Sequence, residues 1–313
     1  MKIKNLALFL AVVIIFSACS SGKKKEQTIS LSGAFALYPL VIKWTEEYQK
    51  ENPAVRFNVS AGGAGKGMAD ALSGTVDLGM FSREISQEEI NKGVWWVAVT
   101  KDAVIPTINA NSPVLEAIQK RGLTRDEFRK IFITGEVTNW DQLPGIETDL
   151  VINVFTRSDA CGAAETWANY LGANQENLQG IGIFGDPGLA DAVVKDVKGV
   201  GFNNTIYLYD VKKGVKNQGI EVIPIDVNEN GFIDADEAFY DRFDQVLAAI
   251  AEGKYPSPPA RELYLVSKGK PQKQATIDFL KWVETKGQAF VSEAGYVPLS
   301  GSTLDEQILK FND

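Results

Sequence analysis

Short apolar runs alternate with amphipathic stretches along most of this chain. Thr28–Ser32, Arg56–Ser60, Trp95–Thr100, Leu150–Thr156, Glu221–Ile225 and Glu262–Val266 have the length and the β-branched or aromatic content of strands. Between them, Pro39–Lys50 sets Leu40, Val41, Trp44 and Tyr48 near a helical period, and Asn52-Pro53 stops it. Gly67–Ser73, Arg125–Phe132, Ala163–Leu171, Ala238–Ala251 and Lys273–Thr285 also read as helices, the second of them opened by a Thr124/Glu127 capping box. This rhythm predicts an α/β protein. No repeat or long linker interrupts it, so two domains joined by crossing segments fit better than two independent beads. Pro106 and the Pro256–Pro259 run are the natural crossings, because proline stiffens an extended connector. They assign residues 28–105 and 259–313 to one lobe and 106–258 to the other.

Three glycine-punctuated stretches each end a strand-like run and open a helix: Ser32–Leu37, Ala61–Gly67 and Arg157–Ala163. Such loops present unpaired backbone N–H groups at the positive end of a helix, and three of them together would cage a small anion. The arrangement points to binding and not to catalysis.

Composition narrows the partners. The net charge is −8 and no basic stripe appears, which excludes nucleic acid as a natural partner. There is no histidine, so the commonest general base and the usual zinc ligand are both missing. At the start, Lys2 and Lys4 precede an apolar run from Leu6 to Phe16 and then Ser17-Ala18-Cys19. This is the order of a secretory signal over residues 1–18, too short for a membrane-spanning helix. A cysteine directly after the small residues resembles a bacterial lipobox, with Cys19 lipidated and residues 19–27 a tether. Cys161 is then the only other cysteine, and no internal disulfide is available.

Five stretches, three of them overlapping the glycine loops, carry a family resemblance: Leu31–Ala34 with Tyr38-Pro39-Leu40, the glycine loop 61–67, Asp77–Arg83, Ile131–Trp140 and Thr156–Asp159. In that order and spacing the chain resembles the phosphate-binding proteins of bacterial ABC importers over nearly all its length after the leader. The resemblance implies a two-lobe periplasmic-binding-protein fold of type II, with a hinge and a ligand cleft between the lobes. It also implies inorganic phosphate as ligand, an ABC permease as partner, a monomer, and export to the periplasm or cell surface on a lipid anchor. Carried over residue by residue, it makes Arg157 the phosphate-contacting arginine and Asp159 the carboxylate that orients it; a guanidinium fork suits both tasks. Leu37 and Tyr38, Gly63, Ala64 and Lys66, Ser82, and Cys161, Gly162 and Ala163 complete the implied anion site. Several depart from the family pattern. Leu37 can offer only its amide, Gly63 and Ala64 replace serine, and at Cys161 and Ala163 a thiol and a methyl stand where hydroxyls are usual. Ser82 stands where some members carry an aspartate that accepts the phosphate proton. Asp159 and Glu84 are the nearest remaining acceptors.

Asp226–Glu237 satisfies every position of the twelve-residue EF-hand calcium loop. The expected ligands are the side chains of Asp226, Asn228, Asn230 and Glu237, the Phe232 carbonyl, and Asp234. The preceding segment looks like a strand, so no helix pair could open, and one structural calcium ion would lock the long connection near the Pro256–Pro259 crossing.

The sequence therefore reads as an exported, lipid-anchored binding protein that captures phosphate for import and is not an enzyme. Two rivals remain. One is the same machine for sulfate, molybdate or tungstate. The other is an exported phosphatase, which would need a nucleophile–base pair or a catalytic metal.

Overall fold

The computed structural model describes residues 27–312. The leader, Cys19 and all of the tether but Gln27 lie outside the described residues. Among those described, no helix is long and apolar enough to cross a membrane.

The strands are β1 (Gln27–Gly33), β2 (Val55–Ala61), β3 (Leu78–Phe81), β4 (Val94–Asn109), β5 (Asn153–Arg157), β6 (Ile181–Ile183), β7 (Gly199–Asn204), β8 (Tyr209–Asp210), β9 (Val215–Lys216), β10 (Ile220–Val222) and β11 (Ala260–Lys268). All but the small β8–β9 pair join one nine-stranded sheet in the order β2-β1-β3-β11-β4-β7-β5-β6, with β10 also on β4. The outer strands at both ends run parallel, β1 with β2 and β3, and β5 with β6 and β7. β4 and β11 are antiparallel to each other and to their neighbours.

Two cores flank this sheet. Ile29, Leu31, Trp44, Met80, Val97, Val99, Leu263 and Phe279 belong to one. Val104, Ile105, Ile108, Phe128, Phe132, Trp167 and Phe202 belong to the other. β4 therefore passes from the first core to the second between Val99 and Ala103, and β11 returns beside it with Arg261 directly opposite Asp102. The crossing is a strand and not a prolyl connector. Pro106 lies beyond it, inside β4, where its carbonyl still accepts the Ile223 N–H at 3.0 Å. Both Ser257-Pro258 and Pro258-Pro259 are cis.

Helices cover the parallel ends. In the first lobe α1 (Tyr38–Glu51) has Pro39 in its first turn and buries Leu40, Val41, Trp44 and Tyr48 on one face. The Trp44 indole N–H donates to the Gly287 carbonyl at 2.8 Å, so the buried ring leaves no unpaired donor. α2 (Ala64–Ser73) and α3 (Gln87–Asn91) follow. The second lobe carries α4 (Leu115–Arg121), α5 (Arg125–Arg129), α6 (Gly162–Tyr170), α7 (Asp186–Lys195), α8 (Thr205–Leu208) and α9 (Phe243–Ala251). α10 (Gln274–Val283) and α11 (Gly301–Leu309) return to the first. Thr124 and Glu127 form the expected capping box, but α5 stops at Arg129 and continues as a π-helical turn over Lys130–Thr134.

The helix expected over Ala238–Ala251 begins only at Phe243. The Tyr240 carbonyl accepts the Tyr209 hydroxyl at 2.6 Å, and the Tyr240 hydroxyl accepts the Ile225 N–H at 3.3 Å. Those tertiary bonds hold residues 238–242 outside the helix. Likewise β5 starts at Asn153, because Leu150 and Ile152 bond instead to the 138–140 turn.

Candidate anion site between the lobes

The three glycine loops converge where the lobes meet. The first closes on itself: the Leu37 and Tyr38 N–H groups both donate to the Ala34 carbonyl at 3.2 Å. This corrects the expectation that those two amides serve a ligand, since each already has a partner, and the Leu37 side chain is fully buried in its own core. Phe35, which follows Ala34, reaches across instead. Its ring lies 5.7 Å from the Arg157 guanidinium and edge-on to Phe184 at 5.9 Å. Its carbonyl accepts the Tyr207 hydroxyl of the second lobe at 3.0 Å.

In the second loop Gly63 precedes α2 at φ +88°, a conformation that favours glycine. A Cβ there would also stand 2.8 Å from an Asp159 carboxylate oxygen. The Gly65 N–H donates across the cleft to the Ala160 carbonyl at 3.0 Å. Lys66 does not join this group. Its ammonium pairs with Asp70, one turn along α2, whose carboxylate also accepts the Ser32 hydroxyl at 2.6 Å.

Ser82, at the end of β3, is buried and faces the third loop: a Cβ on Gly162 would overlap its carbonyl and hydroxyl. No hydrogen bond engages its hydroxyl among the described residues. Cys161 caps α6, its sulfur accepting the Ala164 N–H at 3.3 Å, so the thiol does what an N-cap serine would do. Burial pushes that thiol up to about 12, and it is not a thiolate. The Gly162 and Ala163 N–H groups, in the first turn of α6, have no partner among the described residues. Ser82 and this helix terminus thus face each other across the lobe boundary.

Arg157 ends β5 with its side chain wholly buried. Nε and Nη2 donate to the two oxygens of Asp159 at 2.8 and 2.6 Å, a bidentate fork. Nη1 donates at 2.5 Å to Asp186, a residue that sequence reasoning missed. The other Asp186 oxygen accepts the Asn204 amide, and the Asn204 carbonyl accepts Arg261. Arg261 in turn holds Asp102 through Nε at 2.8 Å and Thr166 through Nη1 at 3.1 Å. A buried polar chain therefore joins Arg157 to the crossing strands. Burial works against the Arg157 charge, yet Asp186 and the Asp159 fork leave it more firmly protonated than usual. Burial raises the Asp186 carboxyl, against the pull of Arg157. The signal for Asp186 was present as a fourth glycine turn opening a helix, Gly185-Asp186-Pro187-Gly188. Of the two acceptors expected, Asp159 has both oxygens on Arg157, and Glu84 lines a separate groove with Tyr264 and Arg261.

The acidic loop 226–237 sits elsewhere. Asp226 accepts the Asn230 and Gly231 N–H groups at 3.2 and 2.8 Å, and Glu237 accepts those of Val227, Asn228 and Asp234. Asn228 and Asn230 donate their amides to Asp234. Among the described residues no three His, Cys, Asp or Glu side chains form a ready metal-ligand group. The loop is fastened to the second lobe, by Ile233 N–H to the Lys120 carbonyl at 2.9 Å and Asp226 N–H to that of Leu123 at 3.0 Å. That corrects the expectation that it spans the connection near Pro256–Pro259, because its anchors are α4 and the turn after it.

A sequence profile of the PBP superfamily domain matches residues 20–286. The chain is 24% identical to the phosphate-binding protein PstS of Bacillus subtilis strain 168, covering 96% of this chain and 94% of that protein. To the phosphate-binding protein PstS of Xylella fastidiosa strain Temecula1 it is 26% identical, with 90% and 84% covered. Among solved structures it is similar to a putative phosphate ABC transporter substrate-binding protein with bound phosphate from Clostridium perfringens, at TM-score 0.71 and 20% identity, covering 88% of this chain and all of that one. An ABC-type phosphate transport receptor from Vibrio cholerae aligns at TM-score 0.64 and 18% identity, with 87% of this chain and 100% of that one covered.

Proposed function

The chain belongs to the PBP superfamily, and from that membership we propose that it is the substrate-binding component of an ABC importer that captures inorganic phosphate between its lobes. The observation that carries this reading is Arg157, buried and forked onto Asp159 beside the first turn of α6, where Ser82 and the Gly63 loop arrive from the other lobe. A tetrahedral oxyanion suits such donors, and lobe closure would exclude water around them. Affinity would rest on backbone N–H groups, Arg157 and the Ser82 hydroxyl, since Cys161 and Ala163 offer no hydroxyl. No nucleophile–base pair belongs to this arrangement, and we assign it no catalytic role. The test is calorimetric titration of the purified protein with phosphate: about one anion per chain is expected, and Arg157→Ala should weaken it at least a hundredfold. Wild-type affinity in that variant would remove Arg157 from the site.

The proposal extends to export and anchoring through a lipid on Cys19. Cys19→Ser should then move the protein out of the detergent phase on partitioning, and unchanged partitioning would refute the anchor.

We also propose calcium at loop 226–237, on its complete ligand pattern and on two buried carboxylates, Asp226 and Glu237, that have no ion-pair partner among the described residues. The ion would stiffen the second lobe against α4, leaving the crossing untouched. Calcium should raise the melting temperature in a concentration-dependent way, with Glu237→Gln removing most of the rise. Identical curves with chelator and calcium would sink the assignment, as would equal shifts with magnesium.

A further inference from the structure

One aromatic side chain of the first lobe is seated in the second. Phe35 stands in the turn between β1 and α1, while Phe184 and Gly185 form the turn between β6 and α7. Phe35 is half-buried and belongs to neither hydrophobic core. Its ring meets Phe184 edge-on at 5.9 Å and lies 5.7 Å from the Arg157 guanidinium. Gly185 makes room for it, since a Cβ built there would stand 3.3 Å from the ring, tighter than an ordinary contact. The Gly185 N–H donates to Asp159 at 3.2 Å, so the wall of this socket is tied to the carboxylate that forks onto Arg157. The Phe35 carbonyl is held from the same side, by the Tyr207 hydroxyl of α8 at 3.0 Å.

Phe184, Gly185, Arg157 and Tyr207 all lie on the second lobe, so parting the lobes undoes these contacts together. The turn that carries Phe35 does not depend on them, because the Leu37 and Tyr38 amides close it onto the Ala34 carbonyl. Withdrawing the ring would return apolar surface to water and forfeit both an edge-to-face pair and a cation–π contact. Those losses fall on the closed arrangement alone. The ring also covers Arg157, and a guanidinium shielded from water holds an anion more strongly. An interaction made only on closing slows reopening and leaves the first encounter with the ligand unchanged.

We propose that Phe35 is a positioning residue for anion retention: a plug from the first lobe that seats in the Phe184–Gly185 socket of the second, keeps the lobes closed over Arg157, and so sets how slowly the anion leaves. It acts through the arginine and the socket, on release and not on capture. The inference rests on the reading of Arg157 as the anion-site arginine.

The experiment measures phosphate association and release by stopped flow for wild type, Phe35→Ala, Phe35→Leu, Phe184→Ala and the Phe35→Ala/Phe184→Ala double variant. Phe35→Ala should release phosphate about tenfold faster, the loss expected of an edge pair and a cation–π contact together, with association within about twofold of wild type. Phe184→Ala should speed release by a smaller factor, because it removes one wall of the socket. The double variant should release no faster than Phe35→Ala, since the wall has nothing to hold once the plug is gone. Phe35→Leu should recover part of the retention through apolar contact. Should Phe35→Ala not fold, Phe184→Ala decides, its ring being 63% exposed and outside both cores: faster release supports the plug and wild-type release overturns it. Wild-type release from Phe35→Ala, slower association with unchanged release, or single effects that multiply in the double variant would each overturn the role of Phe35 and leave the anion site standing. No phosphate binding by wild type defeats the anion-site reading, and this inference with it.

Discussion

Glu284 offers the sharpest test of the electrostatics of this fold. It follows α10 in the first lobe, is 2% exposed, and neither of its carboxylate oxygens has a hydrogen-bond partner among the described residues. Burial pushes its carboxyl from an ordinary 4.5 up to about 8, with the Lys310 ammonium, itself half-buried and bonded to the Trp96 carbonyl, pulling weakly the other way. The folded protein thus keeps a proton that the unfolded chain releases once the pH passes the usual carboxylate range. Stability is fully present below that range, and it falls as the pH rises towards about 8. Each tenfold change in proton affinity is about 1.4 kcal/mol, so the loss across the window is on the order of 5 kcal/mol as an upper limit. Glu284→Gln removes the titration. Its amide is as poorly partnered as the acid, so an unpaired-group cost of about 1–3 kcal/mol remains in the variant, but that cost does not change with pH. The measurement is urea unfolding of both proteins at pH 5, 6.5 and 8, without phosphate and at fixed calcium. Wild type should lose stability steeply between the first and last, while the variant changes little. Parallel profiles would show that water or a rearranged Lys310 compensates the charge.

Two further outcomes follow from buried groups. Native Cys161 should resist iodoacetamide at pH 8, where a thiol pushed up to about 12 is almost wholly protonated, and should react once unfolded; Cys161→Ser should stay within about 1 kcal/mol of wild type because a serine hydroxyl can cap α6. Asp102→Ala strands Arg261 between the two cores and should lower unfolding stability by about 3–5 kcal/mol, whereas wild-type stability would mean that Asn204 and Thr166 suffice to hold the guanidinium.

What the sequence disclosed was local. The helical spacing of Leu40, Val41, Trp44 and Tyr48 set α1, the Thr124/Glu127 pair set the start of α5, and the glycines at 63 and 162 marked places where the two lobes approach within a side chain's width. The Arg157–Asp159 fork was visible because its partners are two residues apart. What escaped depends on long-range pairing. β4 runs to Asn109 because β7 and β10 continue the ladder beyond Thr100, and nothing near Pro106 in the chain announces them. Asp186 lies 29 residues from Arg157 and Arg261 lies 57 from Asn204, so neither contact has a spacing to read. The Leu37 and Tyr38 amides failed for the opposite reason, because a tight turn consumed donors that a family pattern assigned outward.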